Sequence, residues 1–365
     1  MTTGRLKGSP PYVVPLGALV VLAWSIAATP RGWLLFIPIA ALVGSVLSAV
    51  SHAEVIAHRV GEPLGAVVLA LSVTVIEASL ILALMLTHHG DTQSIARDTV
   101  FASFMIVVNG VIGLSILVAA RRSSVVTFRR AGTSALLATL LTMASLTLVL
   151  PTFTTETPGP TFTTAQLLFA AATCLALYAF FIFFQTVHRP EDFTAQVLPE
   201  APEGRTDLLA WRPTARQSFR SGLLLAASLV AVVGIAESLS VPLEDSIHAH
   251  GAPEAVVGLV IALLVLLPES VTAIRAARRS ELQTSVNLSL GSAIASIGLT
   301  IPAIAILSVI VHQPIVLGLD PNTMVLFAIT AVMAAITLAA GEVTMLQGAI
   351  HLVLFATFVF LAFNP

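Results

Sequence analysis

The chain has 365 residues, 57% of them hydrophobic and 10% charged, with a net charge of −2. Soluble proteins carry about 25% charged residues, so this composition defines an all-α polytopic membrane protein and excludes a soluble enzyme. No basic patch interleaves with aromatics, which leaves no nucleic-acid surface, and the lone Cys174 cannot form an internal disulfide.

In chain order, Arg5 and Lys7 precede an apolar run from Val13 to Ala28. The run is long for a signal peptide and no convincing small-residue cleavage site follows, so a retained first helix is expected. A bilayer crossing needs about 20 mostly apolar residues, and turn or charge clusters divide the chain into eleven such runs. They are 13–29, 33–57, 64–86, 99–120, 133–151, 164–187, 221–241, 253–274, 284–311, 322–340 and 343–363. The ninth, interrupted by Gly298 and Pro302, reads either as a long kinked helix or as a helix with a re-entrant piece, and is taken as one crossing.

Cytoplasmic loops collect Lys and Arg, which tests that count. With the N-terminus inside, cytoplasmic segments hold Arg5, Lys7, Arg59, Arg121, Arg122, Arg129, Arg130, Arg189, Arg205, Arg212, Arg216, Arg220, Arg275, Arg278 and Arg279. Only Arg31 and Arg97 fall outside. Fifteen of the 17 basic residues therefore agree with eleven crossings in the inner membrane, N-terminus cytoplasmic and C-terminus outside. The longest polar connection, His188 to Arg220, contains Glu191, Asp192, Glu200, Glu203, Asp207 and four prolines, and reads as a flexible cytoplasmic linker.

Two runs each carry one carboxylate near the middle: Val73-Thr74-Val75-Ile76-Glu77 and Leu266-Leu267-Pro268-Glu269. An Asp at the centre of a membrane helix costs roughly 2.5–3.5 kcal/mol, and Glu is similar. Such groups are either a cation transport site or protonated structural acids that donate a hydrogen bond to a neighbouring helix.

Aligning the two acids sets Leu69-Ala70-Leu71-Ser72-Val73 against Ile261-Ala262-Leu263-Leu264-Val265. The flanking order also repeats. Glu54 ends the preceding helix, Gly61 and Gly65 open the acid helix, and Asn109 follows in the next. In the second copy the same parts are Glu237, Gly251 and Gly258, then Asn287, Ser292 and Ser296. The resulting division is an extra N-terminal helix (1–32), a five-helix repeat (33–187), the linker (188–220) and a second five-helix repeat (221–365). An odd number of crossings per repeat makes the two inverted, as in many secondary transporters.

Hard cations take about six to eight oxygen ligands. Glu77 and Glu269 supply charge, and Ser72, Thr74, Asn109, Asn287, Ser292 and Ser296 are neutral oxygens in or beside the same runs. Pro268 frees the Leu264 carbonyl from its helical bond. Without a cation, two close carboxylates in low dielectric do not both stay ionised, so protons and cations compete for one site. Glu54 and Glu237, near helix ends on opposite sides, are either interfacial anchors or relays to the centre.

His52 and His58 bracket Glu54, but a spacing of six does not reproduce the HExxH arrangement. His88, His89, His248 and His250 fall in outer loops. With no GxSxG elbow, Walker loop or CxxC motif, neither ATP nor a bound cofactor is expected, and an ion gradient would drive transport. A cation channel would use the same acids as a filter without needing an inverted duplication, and an intramembrane hydrolase would need a nucleophile or metal triad that is not found.

The segments 258–269, 282–292 and 297–302 resemble the second α-repeat of bacterial ChaA-type calcium/proton antiporters, in the cation/calcium exchanger superfamily. Gly61-Glu-Pro-Leu-Gly65 through Ile76-Glu77 resembles the first repeat. The resemblance implies ten core helices in two inverted halves plus one extra helix, ion binding by Glu77 and Glu269, and cation export driven by inward proton flow. By position, Asn109 and Ser296 fall where that superfamily places ligands. Val73-Thr74-Val75 and Val265-Leu266-Leu267 stand in the region of its common Gly-Asn-Ala-x-Glu pattern, so both copies lack an amide. Sodium or potassium exchange is therefore the near alternative to calcium.

Overall fold

The computed structural model describes residues 12–28, 30, 32–61, 71–81, 92–121, 124–193, 213–249, 253, 255–312 and 314–364. Gly65, His88, His89, His250, Gly251, Arg5, Lys7, Arg31, Arg122, Arg205, Arg212 and linker residues 194–212 lie outside that set.

Among the described residues the apolar runs are helical. They are α1 (Val13–Ala28), α2 (Phe36–Val60), α3 (Leu71–Ile81), α4 (Ile95–Ala120), α5 (Arg130–Phe153), α6 (Thr164–His188), α7 (Ala215–Ala249), α8 (Ala255–Arg278), α9 (Leu282–Val311), α10 (Pro321–Ala339) and α11 (Met345–Phe363). Nine of the described helices are long and apolar enough to cross a membrane, and α1 and α3 are shorter apolar helices. Large apolar side chains such as Phe169, Phe180, Val332, Val353 and Phe360 stay exposed on the protein surface, as a lipid-facing surface requires.

Several starts are written locally. Thr163 Oγ1 accepts from the Gln166 amide at 3.2 Å while Gln166 Oε1 accepts from the Thr163 amide at 2.9 Å. The same Thr-x-x-Gln box precedes α7 at Thr214 and α11 at Thr344, each closing two otherwise open backbone donors. Asp320 caps α10, with Pro321 in its first turn.

The described residues form two compact units, one from 1–89 and 197–249, the other from 90–196 and 250–365. Each takes residues from both halves of the sequence. In the first, α2 packs along α7 and α1 lies on both. A Cβ at Gly234 of α7 would come within 2.7 Å of the Leu22 methyls of α1, so the glycine lets the leucine seat. Arg59 Nη1 donates to the Pro213 carbonyl at 2.7 Å, joining the end of α2 to the start of α7.

The second unit is built around α4, in whose apolar window 83% of residues are buried, against 22% for α11. At one end, β1 (Val126–Thr127) pairs antiparallel with β2 (Glu342–Val343), and Gly341 takes a φ of 80° to make the turn into β2. The Arg129 amide donates to Gln283 Oε1 and its guanidinium to the Glu191 carbonyl at the same end. At the other end Val316 donates to Gln93 and Gly318 to Pro160. This grouping of loops is the one alternate crossings require of α4–α6 and α8–α11.

Two boundaries differ from expectation, while the ninth run is a single helix, as expected. Helix α7 begins at Ala215 and runs through Pro242 to Ala249, so Glu237 sits well before its end. Membrane helices tolerate such prolines. The start of the expected linker is docked on the second unit: Phe193 is buried and meets Phe181 and Phe184 at 6.3 Å. The ninth run is one helix, with a π segment at Ser296–Thr300 just before Pro302. The wider turn takes up the proline's missing donor without breaking the helix.

Candidate cation site

Glu77 lies on α3 in the first unit and is 1% exposed. Thr74 precedes it by three residues, on the same helical face, and both Thr74 and Ser72 are buried. Glu54 is exposed near the end of α2, which stops at Gly61 with a φ of 79°. Glu237 on α7 lines a groove of about 730 Å³ with Leu22, Ser25, Ile26, Val230 and Val233. The buried hydroxyl of Ser25 has no hydrogen-bond partner there. His52 is buried on α2 with both ring nitrogens unpartnered.

In the second unit, Glu269 follows Pro268 inside the unbroken α8 and is half-buried. Proline has no N–H to offer the Leu264 carbonyl one turn back. Gly258, nearer the start of α8, permits a close approach to α4: a Cβ there would meet the Asp98 backbone at 2.8 Å.

Both helices that follow an acid helix are interrupted by π geometry. In α4 the segment is Ile106–Val111, which contains Asn109; in α9 it is Ser296–Thr300, which opens on Ser296. π segments leave backbone groups out of regular register and recur at functional sites. Ser296 is buried, Ser292 half-buried, and the same two helices are tied by Ser285 Oγ donating to Ser115 Oγ at 2.8 Å.

Asn109 is 0% exposed and sits in a polar cluster that sequence reasoning missed. Its Nδ2 donates to Thr330 Oγ1 of α10 at 2.8 Å, and its Oδ1 is 2.9 Å from His351 Nδ1 of α11. His351 Nε2 is 3.1 Å from Thr337 Oγ1.

Asn287 is held differently from the expected ligand. Its Oδ1 accepts from Gln283 Nε2 at 2.8 Å, four residues earlier, and its Nδ2 donates to the Phe193 carbonyl. The Nδ2 end of the amide holds the docked start of the linker, while its Oδ1 is held by Gln283 of its own helix. Asn287→Ala should cost about 1–3 kcal/mol of stability and leave the cation dependence of transport unchanged. A raised half-saturating cation concentration in reconstituted protein would return Asn287 to the ligand set. Among the described residues no three of His, Cys, Asp and Glu gather as a metal cluster.

Single acids inside the apolar helices of a multi-pass protein are the feature by which ion-transporting membrane proteins are recognised. The profile described as sodium/calcium exchanger protein matches residues 32–187 and 220–364, and the chain belongs to that family of secondary ion exchangers. It is 41% identical over 357 residues to the putative ionic transporter y4hA of Sinorhizobium fredii strain NGR234, covering 97% of this chain and 96% of the relative. It is 33% identical over 356 residues to the sodium-potassium/proton antiporter ChaA of Escherichia coli strain K12, covering 96% and 95%. The solved structure of native YfkE superposes with a TM-score of 0.72 over 97% of this chain and 99% of that one; at 15% identity this likeness is one of fold.

Proposed function

We propose that the protein is a cation/proton antiporter of low selectivity, exporting Ca²⁺, and Na⁺ or K⁺ at the same site, in exchange for protons. The observation that carries this reading is Glu77, a single carboxylate buried on an apolar helix, with Glu269 in the corresponding position of α8. The pair supplies the negative charge, while Thr74, Ser72, Asn109, Ser292 and Ser296 offer neutral oxygens. Two acids suit a divalent cation. The shortage of amides beside them weakens discrimination against monovalent ions, and the name of the E. coli relative, a sodium-potassium/proton antiporter, points the same way.

Coupling follows from charge. An empty, ionised pair is too costly to carry through a low-dielectric passage, so the site reorients when filled by a cation or by protons. Glu54 and Glu237 are the relay groups of this reading. In this reading the two five-helix repeats are inverted, and Asn109 and Ser296, each at a π segment, are equivalent ligands.

The test is an imposed pH gradient in proteoliposomes, with Ca²⁺, Na⁺ and K⁺ added in turn. Each should dissipate the gradient, and a gradient that none of the three dissipates overturns the proposal. The inner-membrane orientation, N-terminus inside, is tested on a Cys174→Ser background with Ser124→Cys and Glu156→Cys, both at exposed positions. A membrane-impermeant maleimide should label Glu156→Cys in intact cells and Ser124→Cys only after permeabilisation. The reverse pattern inverts the topology.

A further inference from the structure

We propose that His351 is a positioning residue for the cation site: it holds the Asn109 amide so that the oxygen, and not the NH₂ group, is kept available. This rests on the reading of Asn109 as a ligand, made above.

The backbone brings the two side chains together. Gly113 of α4 and Gly348 of α11 face each other where the helices cross. A Cβ on Gly113 would lie 2.9 Å from His351 Cβ and 3.1 Å from the Gly348 carbonyl oxygen; one on Gly348 would lie 2.9 Å from the Gly113 carbonyl oxygen. Asn109 is four residues before Gly113, and His351 three after Gly348, so each stands one turn from the crossing. Two glycines thus set the helices close enough for a direct side-chain bond.

The direction of every bond in the cluster is then fixed from one end. Asn109 Nδ2 and Thr330 Oγ1 are both 3.6 Å from Met105 Sδ. A thioether accepts and cannot donate, so the Asn109 NH₂ and the Thr330 hydroxyl point their hydrogens at it. The second NH₂ hydrogen goes to Thr330 Oγ1. The amide end facing His351 is therefore Oδ1, and Nδ1 carries the imidazole proton. Nε2, left as an acceptor, takes the hydroxyl hydrogen of Thr337. Donation runs one way, from Thr337 to His351, Asn109, Thr330 and Met105.

All the polar hydrogens of these four side chains are engaged, and Asn109 Oδ1 keeps one lone pair. Amide oxygens are ligands for hard cations, whereas an NH₂ group repels them. Without the Nδ1 donor nothing holds Oδ1 in place, and the amide is free to turn. Thr330 and Thr337 are seven residues apart, two turns along one face of α10, so a single helix holds both ends of the chain.

The test compares His351→Leu, His351→Gln and Thr337→Val with the unaltered protein in proteoliposomes, measuring proton release against the concentration of Ca²⁺ and, separately, of Na⁺. His351→Leu removes the donor and should raise the half-saturating cation concentration about tenfold or more, with the maximal rate changed far less. His351→Gln carries an amide N–H that can reach Oδ1 and should restore most of the affinity. Thr337→Val leaves His351 in place and loosens only its ring; a smaller shift in the same direction is expected, which keeps the test decisive where His351→Leu fails to fold. Unchanged half-saturation in His351→Leu or, where that variant does not fold, in Thr337→Val overturns the proposal. So does a loss confined to maximal rate, or a Gln variant no better than Leu. Glu77→Gln in the same preparation separates the two readings. If it transports normally, the carboxylate site itself is wrong; if it is inactive while His351→Leu keeps native affinity, only the positioning role falls.

Discussion

Glu77→Gln and Glu269→Gln should each abolish cation-driven proton release in reconstituted vesicles, whichever cation is supplied. The substitution keeps the size and shape of the side chain and removes both the negative charge and the exchangeable proton. One carboxylate about 4 Å from a monovalent cation contributes roughly 4 kcal/mol at an effective dielectric of 20, which is close to a thousandfold in affinity and more for a divalent ion. The fold should survive, because a buried neutral amide costs no more than a protonated acid in the same place. Monodisperse, helical protein without exchange is the predicted result. Exchange at the native rate in either variant would show that the pair is not the transport site.

The second large effect is on the helix crossing. Gly348→Ala puts a methyl group 2.9 Å from both the Gly113 carbonyl oxygen and the Leu117 amide nitrogen, which are backbone atoms with no rotamer to give. Overpacking of this kind costs about 1–3 kcal/mol, and Gly348→Leu should prevent assembly of α4 against α11 altogether. Gly291 in α9 is the control, since a Cβ there meets nothing within 4 Å. Gly291→Ala should be neutral or stabilising by about 0.5–1 kcal/mol, because glycine loses more backbone entropy in a helix. Thermal unfolding in detergent distinguishes the two. Equal midpoints for Gly348→Ala and Gly291→Ala would mean that the close approach carries no stability.

Most of the helical pattern was legible because membrane helices announce themselves by uninterrupted apolar length. The docked linker start and the passage of α7 through Pro242 were not. A proline and a cluster of charges read as breaks, and nothing local shows that Phe193 will find Phe181 and Phe184. The π segments carry no common sequence signature: Pro302 follows the one at Ser296–Thr300, and no proline follows the one at Ile106–Val111. Asn109 was singled out as a polar residue in an apolar run, and that same criterion applied to the last helix would have found His351. It is the one ionisable residue in either α10 or α11, with Gly348 one turn away. The residues it joins are distant in sequence, so its partners could be named only from the structure. The compact units are also hidden from a reading by repeats. A duplication divides the chain end to end, whereas each unit gathers helices from both halves.

The enclosure of α4 has a consequence for biosynthesis. Its mean hydropathy of 2.3 lets it enter the bilayer as an ordinary lipid-facing span, long before the helices that surround it exist. Asn109 and His351 are 242 residues apart, so during synthesis the amide waits in the hydrocarbon until α8, α9, α10 and finally α11 arrive. A nascent chain stalled before α11 therefore leaves Asn109 Oδ1 without its His351 donor. The last helix to be made is thus the one that completes the hydrogen bonding of the most enclosed one.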